Sequence, residues 1–461
     1  MSYLRNRTLF IALPLILMAA FCMTAAGQSH ITGTLPDGAT YVIDVPANWN
    51  GTLLLYSHGY VAPGGSNPAV DAGDPLTGGY LFQAGYALAG SSYATTGWAV
   101  HEALPDQIAT LDVFESLFGT PTQTIAWGHS LGGIITAGLI QQYPDRFSAA
   151  MPMCGVLAGG VGLWNEALDA AFTFDTLVAG GALQVVDITN PTQNYINAES
   201  ILDAAQGTPQ GQARIALTAA MSDIPGWFDP ASREPAPTDY ATREANQYLW
   251  MANVDFPFAF AFRAELEGRA GGNPSWNTGV NYAKQLERSA DNSEVQALYA
   301  AAGLSLDADL ATLKSAAKIA SDPSAEDYLI QNIIFNGQLS IPVLTLHTTG
   351  DGLVPVEDEQ AYESTVHKAG NETLVRDLFI RRAGHCQFTP AETITAFKTL
   401  TNRMETGNWS DLFFLDLDSG ALSLGATYNV LEFNGKIKFV EPEFDRFHSP
   451  AFLRPFDAFS K

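Results

Sequence analysis

The stretch Thr124-Ile125-Ala126-Trp127-Gly128-His129-Ser130-Leu131-Gly132-Gly133-Ile134-Ile135 decides how the rest of the chain is read. Ile125 to Trp127 is a short apolar run, long enough for a buried strand. Beyond Leu131, the residues Ile135, Leu139 and Tyr143 recur at intervals of four, which is helical, and Pro144 ends the helix. Between strand and helix lies Gly128-His129-Ser130-Leu131-Gly132, a G-x-S-x-G in the context that gives it chemical meaning. A serine on so sharp a turn projects its hydroxyl from the sheet edge, and the flanking glycines let other backbone come close. Ser130 is therefore the candidate nucleophile. The competing reading is a glycine-rich loop with a passive serine.

Working outward, apolar runs alternate with helical periods. Residues 31–45 read as a strand pair turning at Pro36-Asp37-Gly38. Residues 52–57 are apolar almost throughout, as in a sheet covered on both faces, and run into His58-Gly59-Tyr60. A Gly/Pro-rich loop at 63–79 follows as a candidate cleft wall. A short helix at 80–84, a strand at 86–91, a helix at 103–118 and a strand at 147–153 complete the first part. This order predicts an α/β fold with a mostly parallel central sheet and helices on both faces.

From 156 to 337 the strand alternation stops. Helical segments are expected at 164–179, 198–205, 211–221, 241–252, 291–302, 307–320 and 324–333. Aromatics gather at Trp227, Phe228, Trp250, Phe256, Phe258, Phe260, Phe262 and Trp276. This block reads as an inserted helical cap, its aromatics serving as cap core with some lining an apolar channel. The sheet resumes with strands at 341–347 and 373–380 and a helix at 356–369. Thr389-Pro390-Ala391-Glu392 then opens another helix with a capping box. Past 408, Asn434-Gly435 marks a hairpin between 428–433 and 436–440, so 409–461 reads as a small β appendage. The organisation is thus a leader at 1–26, core at 27–155, cap at 156–337, core at 338–408 and the appendage.

The leader reading rests on Arg5 and Arg7, an apolar run over 9–22 too short to span a bilayer comfortably, and small residues before cleavage after Ala26 or Gly27. A lipid anchor at Cys22 is disfavoured by the bulky Phe21 before it. The expectation is a secreted or periplasmic protein without a stable membrane anchor. The chain carries a formal charge of −25, and losing the leader's arginines makes it more acidic still. Such a surface repels nucleic acid and favours solubility. Beyond the leader two cysteines remain, Cys154 and Cys386. Both are expected near the rim that carries the site, either paired or as two buried thiols.

A serine hydroxyl needs a base to take its proton, usually a histidine, with a carboxylate to fix the tautomer and steady the imidazolium. In open α/β sheets such partners stand at the carboxyl ends of later strands. Asp351, between two glycines, follows the 341–347 strand, and His385 follows the 373–380 strand. The set Ser130, Asp351, His385 results. His347 reads as core, and His101, His367 and His448 as surface. Asp358 and Asp377 are poorer substitutes for Asp351, one in a helix and one inside a strand. Amide donors for an oxyanion are expected from Leu131, next after the nucleophile, and from Tyr60. His58 is expected to brace that second turn and His129 to shape the elbow.

On His58-Gly59, Gly128 to Gly133, Gly350-Asp351 and Gly384-His385, the sequence resembles the α/β-hydrolase superfamily over roughly 40–155 and 338–405. The resemblance implies an eight-stranded type of sheet and a covalent acyl-enzyme, without metal or organic cofactor. The Gly-His-Ser-Leu-Gly-Gly wording is similar to lipases and esterases. Cys386 beside His385 resembles tannase and feruloyl esterase relatives, in which a disulfide ties the serine and histidine regions. Here, however, His129 and not a cysteine precedes the serine. The long cap on an exported chain also looks like secreted aminopeptidases of this fold. Cleavage of small or polymeric carboxylic esters ranks first among the functions. A peptidase or amidase ranks second, with Glu234, Asp239, Glu244, Glu265 or Glu267 as anchor for a free amine. A non-catalytic binding protein ranks last, because no member of the set is missing.

Overall fold

The computed structural model describes residues 27–409, 413–433 and 435–456. The leader expected at 1–26 and the hairpin residue Asn434 lie outside the described residues. Nine strands form the central sheet: β1 Ser29–Thr34, β2 Thr40–Val45, β3 Thr52–Ser57, β4 Ala87–Ser91, β5 Gln123–His129, β6 Ala149–Met153, β7 Val343–Gly350, β8 Val375–Ala383 and β11 Phe444–Asp445. A separate ribbon pairs β9 Val430–Phe433 with β10 Lys436–Phe439. The sheet order is β1-β2-β4-β3-β5-β6-β7-β8-β11. Pairing is parallel from β4 through β8 and antiparallel at both edges. This is the α/β-hydrolase fold with one extra two-residue edge strand.

The apolar runs follow from burial on both faces. In β3, Leu53 and Leu55 pack with Leu104, Leu111, Phe114 and Leu139 on one side. Leu54 and Tyr56 pack on the other with Leu81, Trp127 and Phe397. Helices Val100–Phe118 and Leu131–Gln142 cover the first face, and Pro75–Gln83 and Pro390–Thr406 the second. The capping box is present, the Glu392 amide donating to Thr389 Oγ1 at 3.1 Å and the Thr389 amide to Glu392 Oε2 at 2.7 Å. One helix starts earlier than expected. Asp74 caps it through the amides of Leu76 and Thr77, and Pro75 takes the first position, so 75–79 is helical and not loop.

The segment between β6 and β7 consists of helices joined by loops, without a strand among the described residues, and has two apolar clusters of its own. All seven expected segments contain helix, although the one expected at 307–320 stops at Ser315. Helices Arg263–Ala270 and Tyr282–Arg288 were not expected, nor were three π-helical turns, Asp175–Ala179, Met251–Asp255 and Phe258–Phe262. The C-terminal stretch is more than an appendage. It contains helix Phe414–Ser423, supplies β11, and then reaches the cap, where Arg454 pairs with Asp169 and donates to the Trp276 carbonyl. Among the described residues, no helix is long and apolar enough to cross a membrane.

Candidate active site

Strand β5 delivers Ser130 at a backbone angle that L-residues avoid, φ 58° and ψ −123°, before helix Leu131–Gln142 begins. The glycines are required by contact. A side chain at Gly128 or Gly132 would run into the carbonyl of Ser57 in the neighbouring strand. The Ser130 amide is held by the Met153 carbonyl at 2.9 Å. From the ends of β7 and β8 come Asp351 and His385. The Ser130 hydroxyl lies 2.7 Å from His385 Nε2, and His385 Nδ1 lies 2.7 Å from Asp351 Oδ2. The structure thus brings the three side chains into one hydrogen-bonded line. Their turns are tied as well: the Gly384 amide donates to the Gly350 carbonyl at 2.9 Å, and the Thr348 hydroxyl to the Gly384 carbonyl at 2.6 Å.

Asp351 is fully buried, and its Oδ1 accepts the amides of Leu353 and Val354 at 3.0 and 3.2 Å. Burial by itself would raise its carboxyl. The charge of His385 and hydrogen bonds from His347 and His385 outweigh that and hold it well below the usual carboxylate range. His347 is core, as expected, but it is also part of this electrostatic arrangement. Its Nδ1 is 2.8 Å from Glu359 Oε1, and its Nε2 is 3.0 Å from the Val354 carbonyl and 3.5 Å from Asp351 Oδ2. Burial opposes its charge, but hydrogen bonds to Asp351 and Glu359 win and raise it well above the usual histidine range. A buried imidazolium flanked by two carboxylates therefore backs Asp351. The readable trace was a histidine four residues before Asp351 and the acidic run Glu357-Asp358-Glu359.

Cys154, just past β6, is bonded to Cys386, with Cα atoms 5.4 Å apart. Both stand at positive φ, and Cys386 Sγ is 3.4 Å from His385 Nε2. Of the two expected arrangements the structure has the paired one, which fastens the His385 turn to the strand beside the nucleophile.

The His58-Gly59-Tyr60 turn packs on the elbow: a side chain at Gly59 would begin 3.4 Å from Ser130 Cβ. His58 braces it, its Nδ1 2.7 Å from the Gly59 carbonyl, its Nε2 3.1 Å from the Ser92 carbonyl and its ring stacked 4.0 Å from Tyr93. Burial keeps His58 below the usual histidine range. His129 is likewise packed away, with Nδ1 3.1 Å from the Tyr56 hydroxyl, and burial lowers it to about 4. Among the described residues, the amides of Tyr60 and Leu131 are bound to no other backbone group.

Above Ser130 is a cavity of about 80 Å³. Its wall includes Tyr60, Trp98, Trp164, Phe256, Phe258 and Asp255. Of the aromatics singled out in the sequence, only Phe256 and Phe258 reach it. Phe260 is buried inside the cap, Trp227 and Trp250 are buried against Gly350 and Gly352 on either side of Asp351, and Phe262 packs on Tyr60 at 5.9 Å. Trp98 and Trp164, in edge contact at 5.6 Å, carry no such signal. None of the five expected amine anchors lines the cavity. Glu234 pairs with Arg381, Asp239 caps a helix, and Glu244 binds Gln206. Glu265 accepts from Arg269 and the Trp98 amide, and Glu267 from the amides of Asp187 and Ile188. A larger cleft of about 580 Å³ lies between β8 and the C-terminal stretch; Asp377 and His448 line it, and Ser130, Asp351, His385, Tyr60 and Leu131 do not.

Over 409 residues, 82% of this chain and 87% of the relative, the sequence is 30% identical to o-phthalyl amidase from Xanthobacter agilis. The chain belongs to the family of that amidase, within the α/β-hydrolase serine hydrolases. Residues 89–159, which include the elbow, match the prolyl oligopeptidase family. The fold is similar to that of feruloyl esterase B from Aspergillus oryzae (14% identity, 83% of this chain and 81% of that one, TM-score 0.41). It is also similar to acylaminoacyl peptidase from Pyrococcus horikoshii (10% identity, 86% and 44%, TM-score 0.38).

Proposed function

We propose that this serine hydrolase cleaves carboxylic esters and amides that carry an aromatic acyl group. The observation that carries the reading is a line of three hydrogen-bonded side chains opening into an aromatic-walled cavity. Ser130 Oγ attacks the acyl carbon while its proton passes to His385 Nε2. Asp351 accepts from Nδ1 and steadies the imidazolium, and the amides of Tyr60 and Leu131 hold the oxyanion. His385 returns the proton to the departing alcohol or amine. Water, deprotonated by the same nitrogen, then releases the acid and frees Ser130. Ester cleavage is the easier chemistry and remains the first expectation. Amide cleavage is supported by the amidase relative.

Purified protein offered p-nitrophenyl benzoate, benzoyl p-nitroanilide and a set of aminoacyl p-nitroanilides is expected to turn over one or both benzoyl compounds. Turnover of the aminoacyl anilides alone would overturn the reading. The leader and the disulfide support export to an oxidising compartment, and an N-terminus beginning after Ala26 or Gly27 is expected for the mature protein.

A further inference from the structure

On the cavity wall, Asp255 is an acid with nothing to bind. It ends the π-helical turn Met251–Asp255, directly before Phe256, whose ring is held by Phe174 at 4.7 Å and Phe260 at 4.9 Å. Two residues on, Phe258 packs against Tyr60 at 5.0 Å. The backbone that presents Asp255 is thereby fixed to the cap core on one side and to the core's 58–60 turn on the other. Its Oδ2 is buried without a hydrogen-bond partner, although the residue borders the same cavity as Ser130. Leaving a buried polar atom unsatisfied carries the desolvation penalty with no hydrogen bond to offset it. That is a standing reason for a ligand atom to bind there.

We propose that Asp255 is a specificity residue that donates a hydrogen bond to a second oxygen on the acyl group, a carbonyl or carboxylate beyond the scissile one. The inference rests on the reading of this cavity as the acyl-binding site. Asp351 lies close enough to act on Asp255 electrostatically, and a like charge nearby disfavours the ionised form of a second carboxyl. Asp351 has two histidines and two amides to hold its charge, and Asp255 has none, so Asp255 keeps the proton. Burial and then the Asp351 charge push the Asp255 carboxyl well above the usual range. A protonated carboxyl in an apolar pocket is a donor, and its natural complement is an oxygen lone pair.

The test compares Asp255→Leu, which removes the donor, with Asp255→Asn, which keeps a donor of the same shape. The readout is the ratio of kcat/KM for 2-carboxybenzoyl and 2-acetylbenzoyl p-nitroanilides to that for benzoyl p-nitroanilide. In Asp255→Leu this preference is expected to fall by about tenfold or more, mainly through KM, while Asp255→Asn retains most of it. An unchanged ratio in Asp255→Leu overturns the inference. So does a wild-type preference for the 2-(aminomethyl)benzoyl anilide that Asp255→Asn abolishes, because Asp255 would then be a cation anchor. Protection of Ser130 from a fluorophosphonate by phthalate or benzoate reads binding without turnover. If neither the benzoyl ester nor any anilide is cleaved but phthalate protects better than benzoate in wild type and not in Asp255→Leu, the functional reading falls and the inference stands. Equal protection in both proteins sinks the inference alone.

Discussion

Two of the regions in which this molecule buries acids treat them in opposite ways. Behind the candidate active site, Asp351 is surrounded by His385, His347 and two backbone amides, and its carboxyl is driven below the ordinary range. In the seam where cap, core and C-terminal stretch meet, Glu166, Glu357 and Asp358 are buried and Asp223 half-buried, with too few cations nearby. Burial raises all four, Asp223 to about 7 and Asp358 to about 8. Depth does not separate the two places, since Asp351 and Asp358 are both fully buried. The partner set decides whether a buried carboxyl is a fixed charge or a neutral hydrogen-bonding group.

The sharpest way to break this contrast is at the charged end. Ser130→Ala is expected to lower kcat/KM by roughly 10⁵-fold or more, and Asp351→Asn by roughly 10³–10⁴-fold, from the loss of nucleophile and of tautomer control. A hydrolysis rate of Asp351→Asn within tenfold of wild type would deny Asp351 its role. Next comes the tie between the two halves of the site. Cys154→Ser removes a link that closes a long loop, and the protein is expected to lose about 2–5 kcal/mol in urea unfolding. His347→Gln is smaller and more diagnostic. It keeps hydrogen bonding but removes the buried cation behind Asp351. A drop of about tenfold in kcat/KM, roughly 1.4 kcal/mol at the transition state, is expected, with the acidic limb of the pH–rate profile displaced upward. A variant that only melts earlier, with an unmoved profile, would make His347 purely structural.

The smallest effect tests the neutral end. Carboxyls whose folded pKa lies above the unfolded value stabilise most at low pH. The stability they contribute is fully present below the unfolded value of 3.8 and is lost as pH rises through about 7 for Asp223 and about 8 for Asp358. The melting temperature is therefore expected to fall by a few degrees between about pH 5 and pH 9. Asp358→Asn, which can still accept the Ala158 amide, should flatten that decline. An equally steep decline in the variant would show that Asp358 ionises outside this window.

What the sequence revealed follows the same division. The core was legible because its strands are covered on both faces, so apolar runs mark them, and because a strained serine turn needs glycines at fixed places. The order Ser130, Asp351, His385 could then be read from strand ends alone. The cap was legible only as helix. Phe256, Phe258, Phe260 and Phe262 alternate in a way that hides the two wide π turns, one ending just before Phe256 and one holding the other three. Asp255 resembles any other surface acid until the fold carries it over Ser130. Trp98 and Trp164 come from the core loop after β4 and from the first cap helix, so no local pattern links them. His347 was placed in the core correctly, but its second partner, Glu359, arrives from the following helix, and no strand periodicity records that meeting.

Tyr60 belongs to two bodies at once. Its backbone sits in the core turn pressed against Ser130, while its ring is lodged between Phe258 and Phe262 of the cap. A displacement of the roof is therefore transmitted through a single covalent frame to the floor of the chamber. Recognition of the guest by the roof and readiness of the floor to act on it cannot be adjusted separately.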